Sequence, residues 1–316
     1  MDENNETNDQ ELTGYNVAEG HKSGYVTMVG RPNVGKSTLL NAFMQQKIAI
    51  VTHRPQTTRV RQLGIITTPA YQIVFMDTPG LMKPRHKLDE FMVETAVETL
   101  EDADVILWLV DSSSKPGPGD KAIAKQLAPY AAEGHVILCM NKADLLKAED
   151  VMPRSEAYRA LLPDAKWILF SATKDAGRDE LLGMIVDSLK EGPRFYPDDQ
   201  VTDIYMRDIT SELIREQIML QLREEIPYSI AVQVDEYSER PDETVYVHAT
   251  IYVERDNHKG ILIGAKGAQL RKIGEAARKE IEELAEAKVF LELQVKVEPK
   301  WRQDARALKR LGYSHE

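Results

Sequence analysis

From Tyr25 onward the chain alternates short uninterrupted apolar runs with longer stretches in which apolar residues recur every three or four positions. The runs near Tyr25, Leu63, Ile73, Val105, Val136 and Trp167 have the length and composition of buried strands, and most are separated by stretches with amphipathic-helix spacing. Strands alternating with helices predict a doubly wound α/β sheet, which holds its ligand beyond the strand carboxyl ends. The rhythm breaks where Gly192, Pro193, Pro197, Asp198 and Asp199 cluster, and a domain boundary is expected there. Beyond it, residues 208–225 carry Ile209, Leu213, Ile214, Ile218 and Leu222 close to one helical face. Two strand-like runs, 229–237 and 244–254, read as a hairpin. Two helices follow around Ile263-Gly264-Ala265-Lys266-Gly267, then a strand over 289–297 and a basic terminal helix.

The length of 316 residues accommodates two domains, each with its own core. The expected divisions are a disordered acidic tail over 1–22, a first, α/β domain over 23–191, a linker over 192–200 and a second domain over 201–316. The tail lacks apolar periodicity and is not read as a signal peptide. No apolar stretch approaches the roughly 20 residues that span a bilayer. Cys139 is the single cysteine and lies in a core-strand run, so a soluble protein of a reducing compartment, without a disulfide framework or metal cluster, is expected. His53, His86, His135, His248 and His258 show no metal-ligand spacing.

The strand ends carry chemistry. Gly30-Arg31-Pro32-Asn33-Val34-Gly35-Lys36-Ser37 follows one strand-like run and precedes the helix-like Thr38-Leu39-Leu40, which is the context a phosphate-binding P-loop requires. Backbone N–H groups turned inward and a helix N-terminus favour phosphate. Gly30, Asn33, Gly35, Lys36, Ser37 and Thr38 are therefore candidate nucleotide ligands, with Lys36 reaching the β- and γ-phosphates and the Ser37 hydroxyl ligating Mg²⁺. The next buried run ends in Asp77-Thr78-Pro79-Gly80, which puts a carboxylate at the metal and the Gly80 N–H at the γ-phosphate. Another ends in Asn141-Lys142-Ala143-Asp144. Asp144 can accept from N1–H and the 2-amino group of guanine, donors that adenine does not present together, with Asn141 on the other side of the base. Such a site selects GTP over ATP. Ser171-Ala172-Thr173 could offer a backbone N–H to guanine O6.

The net charge of −11 weighs against nucleic acid only if spread evenly, and it is not. Residues 259–279 hold six cations, Lys259, Lys266, Arg271, Lys272, Arg278 and Lys279, against Glu275. Residues 300–310 hold five, Lys300, Arg302, Arg306, Lys309 and Arg310, against Asp304, with Trp301 as a stacking or packing aromatic. Glycines at 264 and 267 permit a tight turn that lies close against a nucleic-acid backbone. The order α-β-β-α-α-β resembles a type II KH module, whose RNA contacts would fall on Lys259, Gly264, Ala265, Lys266, Gly267, Arg271, Lys272, Lys300 and Arg302. The fold expected is thus an α/β P-loop doubly wound sheet, the G domain, followed by a smaller α+β KH type II domain.

Together the P-loop, the run Arg54-Pro55-Gln56-Thr57-Thr58-Arg59, D-T-P-G, N-K-A-D, the linker and the KH-like half resemble the Era family of bacterial GTPases over nearly all of the chain after the tail. The resemblance implies a slow GTP hydrolase, loaded with Mg²⁺ and GTP or GDP, that binds the 3′ end of 16S rRNA and assists maturation of the small ribosomal subunit. It further implies a cytoplasmic monomer with peripheral contact at the inner membrane face. Thr58, ahead of Thr57, is carried over as the switch threonine that completes the Mg²⁺ shell when GTP is bound, and nucleotide state is expected to gate RNA engagement. Leu81 stands where Ras-like enzymes orient water with glutamine, which leucine cannot do. Asn33 resembles the asparagine that ligates K⁺ in related GTPases, so K⁺ activation is expected, and Lys36, Thr58, Gly80 and Asn33 form the catalytic set. Arg59 and Arg61 are open between phosphate or partner contact and a solvated loop. The competing reading makes the second half a protein-interaction module, or one packed on the G domain, without RNA. A membrane-signalling GTPase is disfavoured because no lipidation cysteine stands near Leu311-Gly312-Tyr313-Ser314-His315-Glu316.

Overall fold

The computed structural model describes residues 18–81 and 84–314. Five parallel strands form the body of the first sheet: β1 (Lys22–Val29), β3 (Tyr71–Asp77), β4 (Val105–Asp111), β5 (Val136–Asn141) and β6 (Lys166–Leu169), with β2 (Gln62–Thr67) antiparallel at the edge beside β3. The spatial order is β2-β3-β1-β4-β5-β6. Every residue of β5, and all of β4 except Asp111, is buried, as a central parallel strand covered on both faces must be. The covering helices are α1 (Lys36–Met44), α2 (Lys87–Glu101), α3 (Pro118–Ala132), α4 (Ala148–Arg159) and α5 (Arg178–Ser188). All six expected strands are present.

Residues 1–17 of the expected tail lie outside the described residues. Lys22, which was expected to close that tail, opens β1, and His21 is buried. A two-residue strand, β7 (Lys190–Glu191), pairs antiparallel with the start of β1, and the Gly192 and His21 backbones and the His21 ring extend the contact.

The second half carries α6 (Met206–Gln221), β8 (Ile230–Glu239), β9 (Val245–Val253), α7 (Asp256–Ile263), α8 (Ala268–Ala285), β10 (Val289–Val297) and the short α9 (Ala305–Arg310). Its sheet runs β8-β9-β10, with β8 antiparallel and β10 parallel to β9. Helix α6 ends earlier than its apolar spacing predicts, because Leu222 is extended and Glu224 adopts a positive φ ahead of Pro227. Leu222 stays buried without being helical, which is what the spacing detected.

The halves share apolar clusters. Ile50 packs into the core of the second half, and Leu88 and Met92 of α2 pack with Ala231, Trp301, Ala307, Leu308 and Tyr313. No helix among the described residues is long and apolar enough to cross a membrane.

Candidate functional site: a phosphate loop and a basic glycine turn

Between β1 and α1 the chain turns tightly enough that two glycines have no substitute. A Cβ at Gly30 would stand 2.4 Å from the Leu109 carbonyl oxygen, and Gly35 has φ 104 with its Cβ position 2.3 Å from Asn141 Nδ2. The loop faces a cavity of about 340 Å³ at the strand carboxyl ends. Of the residues expected to bind nucleotide, Asn33, Gly35, Lys36, Ser37, Thr38, Thr58, Gly80, Asn141, Lys142, Asp144 and Ala172 line it. Gly30, Asp77 and Ser171 stand behind that lining.

Three oxygens converge at its floor. Ser37 Oγ donates to Asp77 Oδ2 at 2.7 Å, Thr58 Oγ1 donates to the same oxygen at 3.0 Å, and the two hydroxyls are 3.2 Å apart. Asp77 is fully buried, and among the described residues its Oδ1 has no hydrogen-bond partner. Thr57 is not part of the set: its hydroxyl donates to the Arg54 carbonyl within its own turn. Burial pushes the Asp77 carboxyl up and the Lys36 ammonium down, each partly offset by the other's charge. Lys36 Nζ meanwhile rests on the carbonyls of Gly30 and Arg31. An oxygen-only set with one carboxylate beside a buried ammonium fits a hard divalent cation and an anion, the opposite charges those two buried groups lack.

At the base end, Ser171 Oγ donates to Asp144 Oδ1 at 2.6 Å and fixes that exposed carboxylate at the cavity. Asn141 also bonds to Ala172 and to the phosphate loop. The Asn141 amide donates to the Val34 carbonyl, and its Oδ1 accepts from the N–H groups of Lys142 and Ala172. Asn141 therefore braces the phosphate loop to the base loop, and the Ala172 N–H takes part in that brace. Sequence reasoning also passed over Asp111, at the end of β4, which accepts from Lys142 Nζ at 2.6 Å. Burial alone would raise its carboxyl, but the bonds from Lys142 and Ser113 hold it below its ordinary value. Its place as an acid closing a buried run, like Asp77, was the available signal. Ile50, Val51, Thr52 and His53 also line the cavity, and no motif marked them.

Asn33 Nδ2 donates to the His53 carbonyl at 2.7 Å, tying the phosphate loop to the segment that leads to Thr58. Leu81 packs against the apolar cluster around Val29 and Ile106.

In the second half, Gly264 has φ 72, and a Cβ there would stand 2.7 Å from Gln269 Cβ. Ala265, Lys266, Arg271 and Lys272 are exposed around this turn, Lys259 is half-buried and Gly267 has φ 79 with open space beside it. No ion pair ties Lys266, Arg271 or Lys272 among the described residues. A groove of about 330 Å³ lies beside them between α8 and β10, lined by Gly267, Leu270, Arg271, Gly274, Leu291 and Leu293 among others.

The second basic segment behaves differently. Lys300 is exposed, but Arg302 pairs with Glu254 at 2.6 Å and meets His86 Nε2 at 3.0 Å, so it joins the two halves instead of facing outward. Trp301 is fully buried, stacks on Tyr313 and donates to the Ser229 carbonyl. It is a packing residue and no platform for a base. Arg59, also buried, donates to the carbonyls of Ile230 and Tyr228 and lies over the Trp301 ring, so it packs between the halves and is closed off from solvent.

A P-loop sheet with a metal-suited oxygen set and a glycine-turn α+β unit behind it define a nucleotide-binding protein with a KH-type second half. Comparison agrees: a family model described as 50S ribosome-binding GTPase matches residues 25–142, and a KH domain model matches residues 225–302. GTPase Era of Halothermothrix orenii is 46% identical over 295 residues, covering 93% of this chain and 99% of that protein. GTPase Era of Geobacter metallireducens is 46% identical over 294 residues, covering 93% and 98%. Two crystal structures align over 93% of this chain and 100% of theirs: Era in complex with MgGDPNP and nucleotides 1506-1542 of 16S ribosomal RNA, at TM-score 0.89 and 39% identity, and an Aquifex aeolicus Era variant bound to GDP.AlF4-, at 0.88 and 38%. The chain belongs to the Era family of GTPases, and its reaction is hydrolysis of GTP to GDP and phosphate.

Proposed function

We propose that this GTPase binds the 3′ end of 16S rRNA through its second half and assists maturation of the small ribosomal subunit, with the bound nucleotide setting RNA engagement. The observation that carries the RNA reading is the exposed trio Lys266, Arg271 and Lys272 beside the Gly264 turn and the α8–β10 groove. Such a surface meets a phosphate backbone with unpaired cations and offers the adjoining groove to unstacked bases. The 16S-bound relative aligns over 93% of this chain, whereas the model whose description names the 50S particle stops at residue 142. The small subunit is therefore the better-supported client.

In the G half, Ser37, Thr58 and Asp77 would hold Mg²⁺, which when bound supplies positive charge at the β- and γ-phosphate oxygens. Lys36 neutralises developing charge between those phosphates, and Gly80 presents its N–H to the γ-phosphate. Asp144, held by Ser171, selects guanine. Asn33 would ligate K⁺ through its Oδ1, supplying the charge that an arginine finger brings elsewhere. The protein works in the cytoplasm, with peripheral contact at the inner membrane face.

The competing reading of a module packed on the G half accounts for Trp301 and Arg302, which do pack there, but not for the outward cations of α8. Crosslinking to a 16S 3′ fragment separates them. Crosslinks lost in Lys266→Glu with Arg271→Glu support RNA binding, and an unchanged yield removes it.

A further inference from the structure

The chain on either side of Thr58 is held by the second half. Arg215 of α6 is fully buried and donates through Nη1 to the Gln56 carbonyl at 3.3 Å and through Nη2 to the Thr57 carbonyl. Its Nε donates to Glu212 Oε1 at 2.9 Å, and a further bond joins Nη2 to the other oxygen of that carboxylate. Burial would lower the guanidinium, but Glu212 outweighs it and keeps Arg215 charged. On the far side, Arg59 donates to the Ile230 carbonyl at 2.6 Å and the Tyr228 carbonyl at 3.1 Å. Glu216 accepts from the Val51 N–H at 2.8 Å earlier in the same segment.

Thr58 thus lies between two peptides held by Arg215 and the Arg59 side chain, and both holds are made with the second half. A guanidinium serving only to seal the interface could spend its donors on any carbonyl. Arg215 spends them on the two consecutive carbonyls before the residue whose hydroxyl reaches Asp77 at 3.0 Å. We infer that Arg215, fixed by Glu212, is a positioning residue for GTP hydrolysis: it sets the Thr57 peptide so that Thr58 Oγ1 meets the Ser37–Asp77 oxygen set. The second half thereby contributes to metal binding without touching nucleotide. This inference rests on the assignment of Thr58 to Mg²⁺. A partner that orients a ligand in this way typically changes metal affinity or activity by about 10–100-fold when removed.

The test measures GTP hydrolysis by the full chain against Mg²⁺ concentration, with GDP affinity and thermal unfolding as companions, for wild type, Arg215→Met, Arg215→Lys, Thr58→Ala and the double variant Thr58→Ala with Arg215→Met. The expected result is a rise of about tenfold or more in the Mg²⁺ needed for half-maximal hydrolysis by Arg215→Met, with an intermediate rise for Arg215→Lys and little change in GDP affinity. Thr58→Ala shows the same rise, and adding Arg215→Met to it changes the Mg²⁺ requirement by less than about twofold, because both act through one hydroxyl. A folded Arg215→Met with wild-type Mg²⁺ dependence, or effects that multiply in the double variant, overturns the inference. Unchanged Mg²⁺ dependence in Thr58→Ala overturns the Thr58 assignment itself, and the inference with it. If Arg215→Met does not fold, Arg215→Met with Glu212→Gln, which leaves no stranded carboxylate, is read by the same criteria, and Arg215→Lys decides at smaller amplitude.

Discussion

Asn141 Nδ2 donates to the carbonyl of Val34 across 2.8 Å, so the end of β5 holds the phosphate loop by a single side-chain amide. Removing that amide strands a buried carbonyl and two N–H groups at once. Asn141→Ala is predicted to lower stability by about 1–3 kcal/mol and to weaken GTP and GDP in parallel, by about tenfold or more. Titration of fluorescent analogues of both nucleotides checks this. Loss confined to GTP would instead point to a role at the γ-phosphate.

The Asn33 side chain predicts a cation dependence. With Nδ2 engaged by the His53 carbonyl, Oδ1 is the atom that would take K⁺. Hydrolysis is expected to be faster in KCl than in NaCl at equal ionic strength, and Asn33→Ala to remove the difference while leaving GDP affinity near wild type. Equal rates in the two salts refute the K⁺ assignment.

The second half predicts a division among its arginines. Arg271→Glu should weaken RNA binding and lower the slope of log affinity against log salt by roughly one unit or more, as expected for a lost phosphate contact. Arg302→Gln should leave that slope unchanged and instead cost about 1–3 kcal/mol of stability, because Glu254 and His86 lose their partner. Salt-dependent RNA titrations and thermal unfolding of the two variants distinguish the roles.

That division also marks how far the sequence could be read. The phosphate loop, Asp77, Asp144, the six strands of the first sheet and the element order of the second were legible, because each depends on residues near one another in the chain. The partners of Arg302, Trp301 and Arg59 were not. Arg302 sits in a basic stretch that reads as solvated or nucleic-acid facing, Trp301 was open between stacking and packing, and only tertiary packing shows Glu254, Tyr313 and Ser229 waiting for them. Asn141 was found, but its bracing bond was not, since nothing local records that Val34, 107 residues away, offers a carbonyl there. Arg215 carries no motif at all.

The contact between α2 and Arg302 predicts a pH effect. Burial, opposed by the Asp89 carboxylate and aided by the Arg302 charge, holds the His86 imidazole below its ordinary value, with Glu254 a smaller raising influence. The folded chain therefore takes up this proton later than the unfolded chain as pH falls. The contribution is complete above the unfolded value of about 6.5 and is lost as pH drops below it toward the folded value. Melting temperature should fall between about pH 7 and pH 5.5 more steeply in wild type than in His86→Gln. Parallel curves would show that other groups govern the acid side.

The proposed function has nucleotide state control engagement of small-subunit rRNA. It is tested most directly by titrating the purified protein with a 16S 3′-end fragment and a scrambled control, at one stated salt concentration, in the presence of a non-hydrolysable GTP analogue and of GDP. The expected result is tight, sequence-dependent binding that strengthens with the GTP analogue. Equal, weak binding to both RNAs in both nucleotide states would contradict it.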